Sequence, residues 1–184
     1  MTERIYWRDA YRTAFDAQVI DACAVDGKPA VVLDRTCFYP TSGGQPYDTG
    51  TLNEVRVVEV LEQDERIVHV LAAPLPLGPV SGRLDWPRRF DHMQQHSGQH
   101  ILSQAWLNLA HAETVSFHIG LEACTIDIAL ASAPEGLLDA VGDLANQVIW
   151  DNLAVSVHEY APGGLDIPLR KAPHRSRSEH GSVR

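Results

Sequence analysis

Apolar and polar positions alternate along the first half of the chain in short runs: AQVIDACAV, PAVVLD, TLNEVRVVEVLE and RIVHVLA, all between about residue 15 and residue 84. A period of two marks half-buried strands, because successive side chains leave opposite faces of the pleat. The Gly and Pro residues between the runs are turn formers. The pattern predicts a small all-β unit, a barrel. Within it, PTSGGQPYDTG from Pro40 to Gly50 holds three glycines and two prolines. It reads as a loop whose backbone enters conformations other residues avoid and whose main chain can approach a ligand closely.

The pattern changes at Asp85-Trp86-Pro87, where proline suits the first turn of a helix, and PRRFDHMQQHSGQHILSQAWLNLA predicts one long helix to about Ala110. Two strand-like runs follow, ETVSFHIG and CTIDIAL. Ser132 and Glu135 have capping-box spacing and open a second helix, PEGLLDAVGDLANQVIWDNLA, before a last strand, VSVHEY. The order implies an α+β fold in which helices cover one face of a mainly antiparallel sheet. The domain boundaries it suggests are 1–84 for the barrel and 85–184 for the α+β layer. From Ala161 onward apolar periodicity is lost, and APHRSRSEHGSVR has the composition of disordered chain.

With 184 residues, 45% of them hydrophobic, the sequence can bury a substantial core. No run of eighteen apolar residues occurs and the start, MTERIYWRDAYR, is charged, so neither a membrane span nor a secretory signal is expected and the cytoplasm is the expected compartment. Three widely spaced cysteines, Cys23, Cys37 and Cys124, suit reduced thiols better than a disulfide framework. A net charge of -9 opposes holding nucleic acid by bulk electrostatics. Basic residues do gather at Arg170, Lys171, Arg175, Arg177 and Arg184, and again at Arg83, Arg88 and Arg89. Either place could meet a nucleic-acid backbone or be ordinary solvated charge.

His96 and His100 in HSGQH lie four residues apart on the long helix, so their rings leave one face a turn apart. That spacing suits two nitrogen ligands of one zinc ion, and it equally suits two partly exposed helix histidines, because a site needs further ligands.

RFDHMQQHSGQHILSQA resembles the zinc-binding helix of the AlaX-type alanyl-tRNA editing proteins, a family similar to the editing domain of alanyl-tRNA synthetase and more distantly to that of threonyl-tRNA synthetase. VVLDRTCFYPTSGGQPYDTGTL resembles the family's strand and Gly-Gly-Gln loop, and SFHIGLEACTIDI and ANQVIWDNLAV its later strand and helix. These segments run in order from about Val31 to Val155. The resemblance implies a β-barrel leading into an α+β editing domain. It implies a zinc-dependent deacylase acting in trans on tRNA for alanine wrongly charged with serine or glycine. His96 and His100 would hold the metal with a later Cys and His in a Cys-Gly-Gly-Thr-His type motif. Here the chain ends at GSVR soon after LDIPLRKAP, so a truncation before that motif is expected.

Thr36 and Gln45 match positions that line the amino-acid pocket, with Gly43 and Gly44 shaping the loop between them. A threonine hydroxyl there would bond to serine and leave alanine unrewarded. Cys124, His118, His158, His174 and His180 lack the family's ligand spacing, and structural or tail roles are expected for them. Asp91 and His92 could assist proton transfer, although a charged helix N-terminal turn is the plainer role. Two other readings compete: an inactive remnant of an editing domain, and a metal-dependent hydrolase of a small ester.

Overall fold

The computed structural model describes residues 1–120 and 123–156. Met1–Trp150 form one compact unit. The strand expected at 155–160 lies, from residue 157 on, outside the described residues, as do His158, His174, His180 and the basic tail.

The first half is built from β1 (Glu3–Arg4), a 3-10 turn (Ile5–Trp7), β2 (Ala14–Val25), β3 (Lys28–Leu33), β4 (Arg35–Thr36), β5 (Gly50–Leu52), β6 (Val55–Gln63), β7 (Arg66–Leu71) and β8 (Gly78–Leu84). Six of these pair antiparallel in a closed ring, in the order β2-β3-β7-β6-β5-β8 and back to β2. Three of its links are two-residue turns with positive φ at both positions: Asp26-Gly27 (49° and 76°), Asn53-Glu54 (45° and 70°) and Asp64-Glu65 (47° and 63°). Such turns match the right-handed twist of the strands they join. The run TLNEVRVVEVLE, expected as one strand, is therefore two, reversed at Asn53-Glu54. Asn53 fixes that reversal by exchanging bonds with β8: its Oδ1 accepts from Ser81 N–H at 2.8 Å and its own N–H donates to Ser81 O at 2.9 Å.

The ring closes tightly where β5 meets β8. A Cβ at Gly50 would stand 2.1 Å from the Arg83 carbonyl oxygen, so only glycine allows that approach. Phe15, Val19, Val31, Leu33, Phe38, Leu52, Val57, Val60, Ile67, Leu71, Val80 and Leu84 fill the interior. Each such apolar side chain contributes roughly 1.5–3 kcal/mol through removal from water. Ala30, Val32, Val68 and Val70 form a second buried cluster. β7 is therefore buried along nearly its whole length and not on alternate residues alone.

The second half comprises α1 (Trp86–Ala110), β9 (Thr114–Ile119), β10 (Cys124–Ile128) and α2 (Leu137–Trp150). α1 carries Pro87 in its first turn and ends at His111, whose left-handed backbone (φ 52°) sends its N–H to Leu107 O. β9 and β10 form an antiparallel pair. Ala105 and Trp106 of α1 pack against Val141 and Ala145 of α2, with Ile128 alongside. Among the described residues the protein is thus α+β, with a mainly antiparallel six-stranded sheet and two α-helices.

α2 starts later than its expected capping box. Pro134 O accepts from Leu137 N–H, Gly136 takes φ 78°, and helical structure begins at Leu137, leaving Ser132 five positions upstream. The glycine after Glu135 turns the chain before the helix can extend backwards. No helix among the described residues is long and apolar enough to cross a membrane.

Candidate active site

The glycine-rich loop between β4 and β5 is held at its base by two consecutive arginines of α1. Arg89 is buried (2% exposed), and its Nε donates to both carboxylate oxygens of Asp48 at 3.0 Å. Its Nη2 also pairs with Asp48 Oδ2 and reaches Cys37 O at 2.6 Å, and its Nη1 donates to Ala10 O at 2.9 Å. Asp48 in turn accepts from Tyr39 N–H at 2.6 Å, while its own N–H donates to Tyr39 O at 3.0 Å. Arg88 Nε donates to Tyr47 O at 3.1 Å, and its guanidinium lies 5.5 Å from the Tyr47 ring centre. Of the basic spot seen in the sequence, Arg89 is therefore an internal clamp, Arg88 is committed to the loop, and Arg83 alone is exposed.

At the tip, Ser42 and Gln45 exchange backbone bonds of 3.1 and 3.0 Å across Gly43 and Gly44, which take φ of 58° and 82°. A Cβ on Gly44 would stand 2.9 Å from the Phe117 carbonyl oxygen, so the tip rests against β9. The turn delivers the Gln45 side chain, only 5% exposed, onto α1. There Gln45 Oε1 lies 3.1 Å from His96 Nδ1, and His96 Nε2 lies 3.1 Å from His100 Nε2. A carboxamide oxygen only accepts, so a hydrogen bond at this contact requires the proton on Nδ1 of His96 and leaves the lone pair on Nε2.

This geometry passes a simple fit test for zinc. Two ligand nitrogens at about 2.0–2.1 Å from a tetrahedral ion stand roughly 3.3 Å apart, close to the 3.1 Å between the imidazoles. A carbonyl-type oxygen on the far nitrogen of a ligand histidine is the usual outer partner. Among the described residues no group of three or more His, Cys, Asp or Glu converges where it could hold a metal ion. Cys124 is exposed and its thiol points to Gln95 Oε1 at 3.5 Å, and His118 is exposed opposite Thr125, so neither joins the pair.

Thr36 lies just before that loop, at the end of β4. It is fully buried on β4, where its Oγ1 accepts from Phe38 N–H at 3.0 Å and lies 2.9 Å from His69 Nε2. His69 Nδ1 lies 3.4 Å from Val31 O. Burial pushes the His69 pKa down to about 4, so the ring is neutral and the hydroxyl donates to its unprotonated nitrogen. The structure thus brings Gln45, His96 and His100 together, shapes their approach with Gly43 and Gly44, and sets Thr36 in a bonded chain under the loop. His92, one turn before His96, is buried, and its Nδ1 has no partner among the described residues. Burial, and then nearby Arg88, hold its pKa below the usual range. Asp91 is exposed. Between α1 and the β9-β10 pair lies a cavity of about 130 Å³, lined by Gln95, Gly98, Gln99, Phe117, Cys124 and Thr125.

His69 and the Asp48–Arg89 pair were not found by sequence reasoning. A histidine inside the Val-rich run RIVHVL was the available signal for the first. For the second the partners lie 41 residues apart, with no local sign.

The closed six-strand ring thus carries a glycine-rich loop that meets a histidine pair on the following helix. The family model of "tRNA synthetases class II (A)" matches residues 11–77, which cover β2 to β7. The chain is 37% identical over 175 residues to alanyl-tRNA editing protein Aarsd1 of Rattus norvegicus, a span of 88% of this chain and 42% of the relative. It is 33% identical over 181 residues to alanyl-tRNA editing protein AlaX-L of Pyrococcus horikoshii, covering 93% and 45%. It is 34% identical over 165 residues to the alanine–tRNA ligase of Thermococcus kodakarensis, covering 84% and 18%. The chain belongs to the alanyl-tRNA editing protein family. It spans less than half the length of the editing relatives it matches.

Proposed function

We propose that the protein deacylates mischarged tRNA(Ala) in trans, removing serine or glycine, with a single Zn²⁺ held in part by His96 and His100. The observation that carries this reading is the meeting of Gln45 with His96 and His100 in a chain similar to proteins named for alanyl-tRNA editing. In this reading the six-strand ring is the N-terminal barrel and α1 opens the editing half.

The reaction adds water to the ester carbonyl and breaks the bond to the terminal ribose oxygen, releasing the amino acid as its carboxylate and restoring the ribose hydroxyl. Zinc, when bound, supplies Lewis acidity to a reacting oxygen. His96 and His100 offer neutral nitrogens from one helical face, and the Gln45 oxygen keeps the His96 proton on Nδ1. Gly43 and Gly44, lacking side chains, leave the loop main chain free to lie along the aminoacyl group. Thr36, fully buried, holds the loop's base through its contacts with Phe38 N–H and His69 Nε2. The cavity beside Phe117 offers adjacent space for a small side chain.

Release of labelled serine from Ser-tRNA(Ala), compared with release of alanine from Ala-tRNA(Ala), tests the proposal. Preferential serine or glycine release supports it. Equal hydrolysis of free seryl esters and charged tRNA would favour a small-ester hydrolase instead.

A further inference from the structure

We infer that Gln45 is the positioning residue of the histidine pair: its carboxamide oxygen locks His96 in the Nδ1–H tautomer and aims the Nε2 lone pair at the point shared with His100. The inference builds on the proposed metal reading. A free neutral imidazole favours the opposite tautomer, with the proton on Nε2, which would turn a hydrogen instead of a lone pair toward His100. Something must reverse that preference if Nε2 is to bind an ion.

The loop is built to do so. Gln45 is 95% buried, so its oxygen has lost water and gains most from an internal donor. Its backbone is fixed by the paired bonds to Ser42, by the tight seat of Gly44 on Phe117, and, further back, by the Asp48–Arg89 clamp. These constraints leave the carboxamide little freedom to withdraw. The alternative, a flipped amide donating to Nδ1, places the His96 proton on Nε2 and blocks metal at that nitrogen. The two arrangements therefore differ in a measurable proton position.

Long-range proton–nitrogen NMR on the full chain labelled with ¹⁵N-histidine, above the imidazole titration range, reads that position directly, with His96→Ala assigning the signal. The wild-type protein should show His96 as Nδ1–H. Gln45→Met, similar in size but without an acceptor, should shift it toward Nε2–H, and Gln45→Glu, which keeps an acceptor, should hold it. Gln45→Asn, which withdraws the oxygen by one methylene, repeats the test should the methionine variant fold poorly. In parallel, cobalt(II) affinity should fall about 10–100-fold in Gln45→Met and recover at least partly in Gln45→Glu. A His96 tautomer that is Nε2–H in the wild type, or unchanged in both Gln45→Met and Gln45→Asn, overturns the inference. A tautomer shift without any cobalt binding by the wild-type chain overturns the metal reading and leaves the orientation of His96 by Gln45 standing.

Discussion

Replacing Asp48 with asparagine removes one charge and almost no volume, and the structure specifies what remains. Arg89 would keep its bonds to Ala10 O and Cys37 O, and the asparagine oxygen could still accept from either Tyr39 N–H or the guanidinium, but the buried cation would lose its counter-charge. Both side chains are nearly inaccessible, 3% and 1% exposed, so solvent cannot screen the loss. Removing one partner of a buried ion pair costs about 3–5 kcal/mol. The retained carbonyl bonds place Asp48→Asn near the lower end. Asp48→Ala, which also orphans Tyr39 N–H, belongs near the upper end. For a chain of this size about 3 kcal/mol corresponds to a fall in Tm of roughly 6–12 °C. Urea titration should show a lower midpoint at unchanged slope. A midpoint for Asp48→Asn matching a loss below about 1 kcal/mol would refute the claim that this pair clamps the loop to α1.

His69, neutral with a pKa near 4 against 6.5 when unfolded, binds a proton more readily in the unfolded chain. Its contribution is therefore complete above pH 6.5 and disappears as pH falls toward 4, a loss of about 3 kcal/mol across that window. Urea midpoints at pH 7 and pH 4.5 should diverge in the wild type and diverge less in His69→Asn; equal divergence would argue against it. Gly44→Ala should lower thermal stability and serine release more than Gly27→Ala. Both glycines have positive φ, 82° and 76°, but a Cβ meets Phe117 O at 2.9 Å at Gly44 and nothing within 4 Å at Gly27. Equal effects would mean the seat on Phe117 is not constraining. Thr36→Val should destabilise by about 1–3 kcal/mol, because it leaves Phe38 N–H and His69 Nε2 without their buried partner. A variant as stable as wild type that still loses serine preference would assign Thr36 to the substrate alone.

Much of this was legible in residue order. Pro87 in a helix's first turn and the run that follows it predicted α1 to its observed end at Ala110, and the glycines of PTSGGQPYDTG announced the turn that carries Gln45. The four-residue spacing of His96 and His100 predicts both rings on one helix face, and their centres stand 4.9 Å apart. What escaped is what distance in sequence hides. An arginine in a charged helix turn looks solvated until Asp48 is folded beneath it, and a strand histidine looks half-exposed until both faces of β7 are covered. The Asn53-Glu54 reversal lacked the glycine that usually betrays such a turn. Gly136 ended the apparent capping box because backbone geometry overrode side-chain spacing.

The most direct test pairs two readings on one sample: zinc per chain and serine release from Ser-tRNA(Ala), for the wild type and for His96→Ala combined with His100→Ala. The account predicts zinc retention and deacylation in the wild type and loss of both in the double variant. Undiminished zinc content or undiminished serine release in the double variant would contradict it.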